Sequence, residues 1–277
     1  LFCNVDYKSV IEAINADTIY RVPLLMLSQY LDIVVAHKIG LRKLKNINND
    51  LWKKRLRKLI NPQETSSVAI VGKYVELKDS YKSISESLIH AGALLGKGIN
   101  IKWIHSDNIN SHNVKKQLQD CKGVIVAPGF GSRGIEGKLI AVKYIRENNI
   151  PFFGICLGMQ VAVIEFARNI CGLKKAHSTE MNLETPHPVI DLMENQSNVV
   201  NKGGTMRLGN YQCNIIPKSK VFLAYQKEIV YERHRHRYEL NNDYKQQLSK
   251  YGMIFSGTNI DLNLVEVIEL NNHPWFV

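Results

Sequence analysis

Short apolar runs that alternate with helical patterns dominate the chain between residues 68 and 170. A repeated strand and helix is typical of a parallel sheet with helices on both faces. The sequence therefore predicts an α/β fold, a three-layer α/β/α sandwich around a central, mostly parallel sheet. The predicted strands are Val68–Gly72, Ile99–Ile104, Gly123–Ala127 and Pro151–Ile155, and the predicted helices are Tyr81–Ala93, Val114–Leu118, Gly137–Asn148 and one from Leu157 onward.

Shorter strands and turns follow from about residue 180 and predict a β-rich addition to this core. These strands are Gln212–Ile216, Ile229–Arg237, Met253–Gly257 and Leu264–Leu270.

Residues 1–60 have a different pattern. Lys8–Asn15 has helical spacing, Pro23–Leu27 begins a helix with proline near its start, and Leu51–Ile60 is a basic amphipathic helix. Residues 61–67 are polar and contain a proline, which is typical of a linker. We therefore predict a helical segment over 1–60, a linker over 61–67 and an α/β domain over 68–277.

The composition argues against a membrane-spanning protein and a disulfide-rich protein, and it leaves a nucleic-acid-binding protein open. No apolar run is long enough to span a bilayer, and the five cysteines lack the spacing of a disulfide framework or a zinc site. Free cysteines favour a reducing compartment, so we expect a cytoplasmic protein without a metal site. The net charge of +11 leaves a nucleic-acid-binding module as an alternative.

A Gly-Ile-Cys-Leu-Gly run at 154–158 stands where a buried strand meets a helix. Glycines on both sides let the chain turn sharply, so that Cys156 points off the sheet as a nucleophile. The helix N-terminus favours the thiolate, and the amide of Leu157 can serve an oxyanion. A buried structural cysteine is the other interpretation of this spacing.

A glycine-rich loop at 127–134 follows the preceding strand, where open parallel sheets bind ligands. Such a loop can present backbone N–H groups to an oxyanion or a carboxylate. It lacks the Lys-Ser/Thr ending of a phosphate-binding loop, so substrate binding beside Cys156 is favoured over nucleotide binding.

The runs at 128–138 and 154–160 together resemble the class I glutamine amidotransferases. Runs at 71–74, 203–209, 232–239 and 272–277 are similar to motifs of the CTP synthase family. Residues 2–5 and 17–23 are similar to the end of that family's P-loop-type amidoligase domain. The resemblance covers the whole chain.

The resemblance implies that Cys156 attacks the side-chain amide of L-glutamine, forms a glutamyl thioester and releases ammonia for the ATP-dependent amination of UTP to CTP. It implies a glutamine site made by Gly129, Leu157, Gly158, Met159, Gln160, Glu180 and Arg237, and an ATP contact at Ile14, Asn15 and Ala16. No cofactor is implied within the chain, whereas the full enzyme would use ATP and Mg²⁺. GTP as activator, a homotetramer, and no nucleic-acid or membrane partner are also implied.

Two departures from the family pattern bear on activity. Pro128 replaces a glycine and has no N–H, so Gly129 must be the oxyanion donor. The family's His-Pro-Glu run, which carries the base and its orienting carboxylate, occurs nowhere in the 277 residues. Because both ends read as interior sequence, we expect a chain cut at both ends that has little or no glutaminase activity alone.

The Glu-Arg-His-Arg-His-Arg run at 232–237 alternates, so a strand there places the arginines on one face and the histidines on the other. Two histidines without a third ligand are a weak zinc signal. Arginines that face an anionic ligand or pair with acidic residues fit this run better than a DNA-binding patch does. Another Cys-elbow hydrolase of the same fold, a γ-glutamyl hydrolase or a peptidase, remains an alternative function.

Overall fold

The structure, a computed structural model, describes residues 5–41, 48–192 and 206–277. The motif residues 2–4 and 203–205 and the basic residues 42–47 lie outside the described residues. The helices are α1 Val22–Ser28, α2 Leu31–Lys38, α3 Asp50–Ile60, α4 Lys82–Leu95, α5 Val114–Leu118, α6 Ile135–Glu147, α7 Leu157–Asn169, α8 Lys220–Tyr225 and α9 Lys245–Lys250. The strands are β1 Glu64–Gly72, β2 Lys97–His105, β3 Gly123–Val126, β4 Phe152–Gly154, β5 His177–Ser178, β6 Pro188–Leu192, β7 Arg207–Ile215, β8 Ile229–His236, β9 Tyr238–Leu240, β10 Met253–Asn259 and β11 Leu264–Leu270.

The chain forms two compact units. One comprises residues 1–65 together with 87–98, and the other comprises residues 66–86 together with 99–277. The second half of α4 therefore belongs to the first unit, and the central sheet lies mainly in the second.

The central sheet has the strand order β2-β1-β3-β4. β1 pairs in parallel with β3, with Val68 opposite Gly123, and β3 pairs in parallel with β4. Residues 275–277 continue the sheet beyond β4, since Phe152 N–H donates to the Trp275 carbonyl at 2.8 Å. Because parallel strands share one direction, the loops after β1, β3 and β4 meet at one edge.

An apolar core surrounds this sheet. Ala69, Val71, Val124, Val126 and Phe152 are at most 2% exposed and pack with buried side chains of α6 and α7. α6 contributes Leu139, Ala141, Val142 and Ile145, and α7 contributes Val161, Ala162, Val163 and Ile164. The predicted α/β architecture with a mostly parallel central sheet is confirmed.

Two smaller sheets form the β-rich addition. The first has the order β11-β10-β7-β8 and is antiparallel, and the second has the order β5-β6-β9. β8 and β9 are joined through Arg237, so this addition carries the 232–237 run along its edge strand.

The helix predicted at Lys8–Asn15 is wrong. A single 3-10 turn occupies Tyr7–Ser9, and residues 10–15 form no helix. The side-chain amide of Gln29 pairs with both backbone groups of Glu12, accepting from its N–H at 2.7 Å and donating to its carbonyl at 3.0 Å. These bonds satisfy the backbone groups of Glu12 without a helix, and the β-branched residues here favour helix only weakly.

The predicted linker is shorter in the structure, because β1 begins at Glu64 rather than at Val68. The Glu64 carboxylate pairs with the Lys97 ammonium at 2.6 Å, which ties the start of β1 to the start of β2. The first half of this strand is polar and contains Ser and Thr, so it gives no apolar run and the sequence pattern does not predict it.

No single helix among the described residues has the length and apolar character needed to cross a membrane. Two consecutive helical stretches, Ile19–Ser28 and Leu31–Lys38, meet that standard only together and are bent by 66°.

Candidate active site

Cys156 has a backbone conformation that few residues other than glycine adopt, with φ 56° and ψ −107°. The flanking glycines make this turn possible. A Cβ on Gly158 would lie 2.2 Å from the Val126 carbonyl oxygen, and one on Gly154 would lie 2.7 Å from the Gly158 backbone. The elbow therefore contacts the end of β3 so closely that only a hydrogen atom fits at the Gly158 Cα. A strained backbone at a nucleophile is consistent with a functional site.

The elbow places Cys156 at the N-cap of α7. Its carbonyl already accepts from the Gln160 N–H at 3.2 Å, so the first turn is fixed. The N–H groups at a helix N-terminus carry partial positive charge, which favours a thiolate and an oxyanion. Leu157 is buried and is the first residue of α7, so its N–H is one of the groups that a helix leaves unpaired within itself.

The loop after β3 lies over the elbow. An added Cβ on Gly129 would contact the Leu157 side chain at 3.5 Å, so this glycine sits beside the first residue of α7. The Gly131 N–H donates to Glu180 Oε1 at 2.7 Å. Glu180 thus approaches the loop from the segment after β5.

Five of the predicted glutamine-site and catalytic residues line one cavity of about 210 Å³: Gly129, Cys156, Gln160, Glu180 and Arg237. Cys156 and Met159 also line a neighbouring cavity of about 510 Å³. Leu157 and Gly158 are buried beneath these cavities and line neither. The amide of Gln160 donates to the Tyr238 carbonyl at 2.9 Å, which holds the loop that carries Arg237.

His236 is the site residue that the sequence reasoning missed. It lines both cavities with Cys156 and contacts the thiol. Its Nδ1 lies 3.3 Å from Glu239 Oε1, in a Cys–His–Glu arrangement. Burial opposes the charged ring, but the contacts with Cys156 and Glu239 outweigh it and raise the pKa of His236 to about 10.

The alternation in β8 contained the signal for this residue. His234 and His236 are half-buried, whereas Arg233 and Arg235 are exposed, as the sequence predicts. The inward histidines meet carboxylates, since His234 Nδ1 lies 3.4 Å from Glu266 Oε2. The two histidines therefore belong to a network with acidic side chains. No group of three or more potential metal ligands occurs within residues 5–41, 48–192 and 206–277.

Arg207 joins the two carboxylates of this network. Its guanidinium donates to both Glu266 oxygens at 2.8 to 3.0 Å and lies 3.6 Å from Glu239. Burial raises the pKa of Glu266 to about 7, although Arg207 acts against that shift. Burial, Arg207 and His236 lower the pKa of His234 to about 4. Of the two histidines, only His236 is therefore charged near neutral pH.

Ile14, Asn15 and Ala16 belong to the other unit. They lie in a segment without regular secondary structure between a 3-10 turn and α1. Their contact with ATP stays a prediction.

Comparisons with known proteins agree with this geometry. The model of the class I glutamine amidotransferase family matches residues 76–277. The structure of the Trypanosoma brucei CTPS glutaminase domain with bound acivicin superposes with a TM-score of 0.70, at 36% identity over 76% of this chain and 83% of that chain. The chain therefore belongs to the class I glutamine amidotransferase family.

Within that family, the whole chain is similar to CTP synthases. It is 53% identical to the enzyme of Flavobacterium johnsoniae and 50% identical to that of Bacillus subtilis, over all 277 residues and 52% of each relative. The chain thus spans about half the length of these curated relatives.

Proposed function

We propose that this chain is the glutamine-hydrolysing part of a CTP synthase, with Cys156 as its nucleophile. The observation that carries the proposal is the elbow, which places Cys156 at the N-terminus of α7 and in one cavity with Gly129, Glu180 and Arg237. The carboxylate of Glu180 suits the α-amino group of glutamine, and Arg237 suits its α-carboxylate. The structure of a relative with bound acivicin, a glutamine analogue, supports glutamine as the ligand.

In the proposed reaction, the Cys156 sulfur attacks the side-chain amide carbon and the carbonyl electrons move onto oxygen. The N–H groups of Gly129 and Leu157 stabilise that oxyanion. The His236 imidazolium then gives a proton to the departing nitrogen, the C–N bond breaks, and ammonia leaves a thioester. Water, which loses a proton to the neutral imidazole, hydrolyses the thioester to glutamate and restores the thiolate and imidazolium.

The wider reaction is also a proposal. Ammonia would be used to aminate ATP-activated UTP in the amidoligase part, with Mg²⁺ bound there, GTP as activator and a homotetramer as the assembly. No described group of side chains here suits Mg²⁺, so no step of that reaction is assigned to these residues.

Acivicin labelling tests the proposed function. We expect the 277-residue chain to gain one adduct, mapped by peptide mass spectrometry to Cys156, and we expect L-glutamine to slow its formation. Cys156→Ala should abolish the adduct, whereas Cys121→Ala, which removes a buried thiol outside the cavity, should not. An adduct on a different cysteine, or one that glutamine fails to slow, would refute the assignment.

Ammonia release should be measured separately. We expect little or no ammonia release from the 277 residues, which contain no His-Pro-Glu run, and any turnover that remains should depend on His236, the proton carrier at the thiol. The labelling and turnover measurements together therefore separate binding and nucleophile reactivity from complete catalysis.

A further inference from the structure

Two lysines lie almost completely inside the protein beneath the loop after β3. Lys73 directly follows β1 and is 1% exposed, and Lys138 lies in the first turn of α6 and is 0% exposed. Lysine is rarely buried unless its ammonium has strong partners, because removing the charge from water is costly. The partners of both ammonium groups are backbone carbonyls of one loop.

Lys73 holds the outer part of that loop. Its Nζ donates to the carbonyls of Phe130 and Gly131, each at 2.6 Å. The stem of the same side chain passes under Gly129, since an added Cβ there would lie 3.6 Å from Lys73 Cε. One side chain therefore supports the candidate oxyanion donor and the two residues after it.

Lys138 holds the inner end. Its Nζ donates to the Ala127 carbonyl at 2.8 Å, where β3 passes into the loop. Burial and the neighbouring Lys73 charge lower the pKa of Lys138 to about 7. The titratable groups that act on Lys138 are Lys73 on the β1 side and Cys156 on the α7 side.

These anchors determine which way the peptide groups face. In a trans peptide the C=O and the following N–H point in opposite directions. The Phe130 carbonyl faces Lys73, and the Gly131 N–H on the other side of that peptide meets Glu180. The Pro128 carbonyl faces the Tyr81 hydroxyl at 3.5 Å, so the Gly129 N–H points away from Tyr81.

We propose that Lys73 and Lys138 are positioning residues that hold the oxyanion loop by its carbonyl oxygens. The inference rests on the proposed function, since an oxyanion forms only if Cys156 attacks a carbonyl-like centre. Gly131, whose carbonyl accepts from Lys73, also donates its N–H to Glu180, the candidate ligand of the substrate amine, and thereby links substrate binding to the loop.

The test uses Lys73→Met and Lys138→Met, which keep an unbranched stem and remove the ammonium. Lys143→Met is the matched control, because Lys143 lies on the same helix as Lys138 and is exposed. Two rates are measured across pH: acivicin labelling under saturating conditions, and alkylation by iodoacetamide, which needs no oxyanion. Circular dichroism and the unfolding temperature establish that each variant is folded.

We expect Lys73→Met to lower the maximal acivicin rate by about 10- to 100-fold, as for a misplaced catalytic group, while the iodoacetamide rate changes little. We expect Lys138→Met to lower the maximal acivicin rate as well, because the Ala127 carbonyl loses its donor at the inner end of the loop. His236, which also faces Cys156, is unchanged in these variants, so a change in either rate arises from the lysine that was replaced.

Folded variants with wild-type acivicin rates, or with equal losses of the acivicin and iodoacetamide rates, would overturn the inference. Lys143→Met should keep the wild-type values of both rates. A change in that control would also overturn the inference, because the effect would then not be specific to the buried lysines. If the unmodified chain does not label at Cys156, the proposed function fails instead, which keeps the two failures distinguishable.

Discussion

At the residue scale, the site depends on two glycines, Gly154 and Gly158, which have a hydrogen atom where other residues have a side chain. Cys156 keeps a positive φ because Gly154 and Gly158 let the elbow approach β3 closely. The glycines therefore allow the close backbone contact of the turn. Their replacement should lower the stability of the chain and slow the reaction of Cys156. The thiol reaches the cavity only while this turn is intact.

Gly158→Ala should damage both properties. Its new Cβ would lie 2.2 Å from the Val126 carbonyl oxygen, so β3 or α7 must shift. We expect a loss of about 1–3 kcal/mol in the free energy of unfolding, as for an overpacked core, and a slower acivicin reaction. Gly123→Ala is the control, since its nearest neighbour would lie 3.5 Å away. Equal effects of the two variants in urea unfolding would contradict this explanation.

His236→Gln tests the partner of the thiol. Loss of the imidazolium should slow acivicin labelling and move the iodoacetamide rate–pH curve to higher pH, because the cation favours thiolate. His112→Gln changes an exposed histidine and should leave both unchanged. Identical curves for the wild type and His236→Gln would show that another group activates Cys156.

The same histidine predicts a pH-dependent stability difference. Its pKa in the folded chain is raised to about 10, above the ordinary value of 6.5, so folding favours its protonated form. Its stabilising contribution is complete below about pH 6.5 and is lost as the pH rises through about 10. The gap in unfolding free energy between the wild type and His236→Gln should therefore shrink over that interval in urea titrations. A gap that stays constant would contradict the assignment.

At the scale of elements, α6 and α7 are joined by a buried ion pair. The Arg146 guanidinium donates to both oxygens of Glu165 at 2.7 and 2.8 Å, and the Glu165 side chain is 0% exposed. Such a pair fixes the relative position of the helices that carry Lys138 and Cys156. The cost of breaking one partner exceeds the value of the pair, because a buried charge is left alone.

Arg146→Met alone should therefore destabilise the chain by about 3–5 kcal/mol, because it leaves the fully buried Glu165 carboxylate without its cation. The double variant Arg146→Met with Glu165→Leu should recover most of that loss, since no unpaired charge remains. Urea unfolding of both variants measures the difference. If the double variant is no more stable than the single one, packing rather than charge determines the cost.

The success of sequence reasoning followed the strength of each local pattern. Leu264–Leu270 and Val114–Leu118 were predicted with their observed bounds, because apolar periodicity and burial coincide there. Lys8–Asn15 failed because a distant side chain, Gln29, satisfies its backbone. Contacts of that kind leave no local signal.

The candidate site shows the same limit. The run at 154–160 identifies Cys156 because its turn is local, whereas Glu239 and Lys138 reach the site only through the folded sheet. Alternation in β8 predicted the inward face of His236 but not the thiol it meets. The family resemblance supplied Gly129, Glu180 and Arg237, which the cavity brings together.

At the scale of the whole molecule, the candidate site belongs to one compact unit. Cys156, His236, Glu180 and both buried lysines lie within residues 66–86 and 99–277. The other unit joins residues from α1–α3 to the second half of α4, where Lys58 Nζ donates to the Leu94 carbonyl at 3.0 Å. Its packing buries Leu56 and Ala93.

Removal of residues 1–60 should therefore separate stability from reactivity. We expect a lower unfolding temperature, since the α4 surface around Ala93 loses its cover, and an acivicin rate at Cys156 within about threefold of the full chain, a difference below about 1 kcal/mol. Calorimetry and labelling measure the two quantities, and Cys156→Ala in the shortened chain controls for non-specific adducts. Loss of labelling in a shortened chain with native circular dichroism would show that the first unit contributes to the site. An unchanged unfolding temperature would show that its contacts with α4 add nothing to stability.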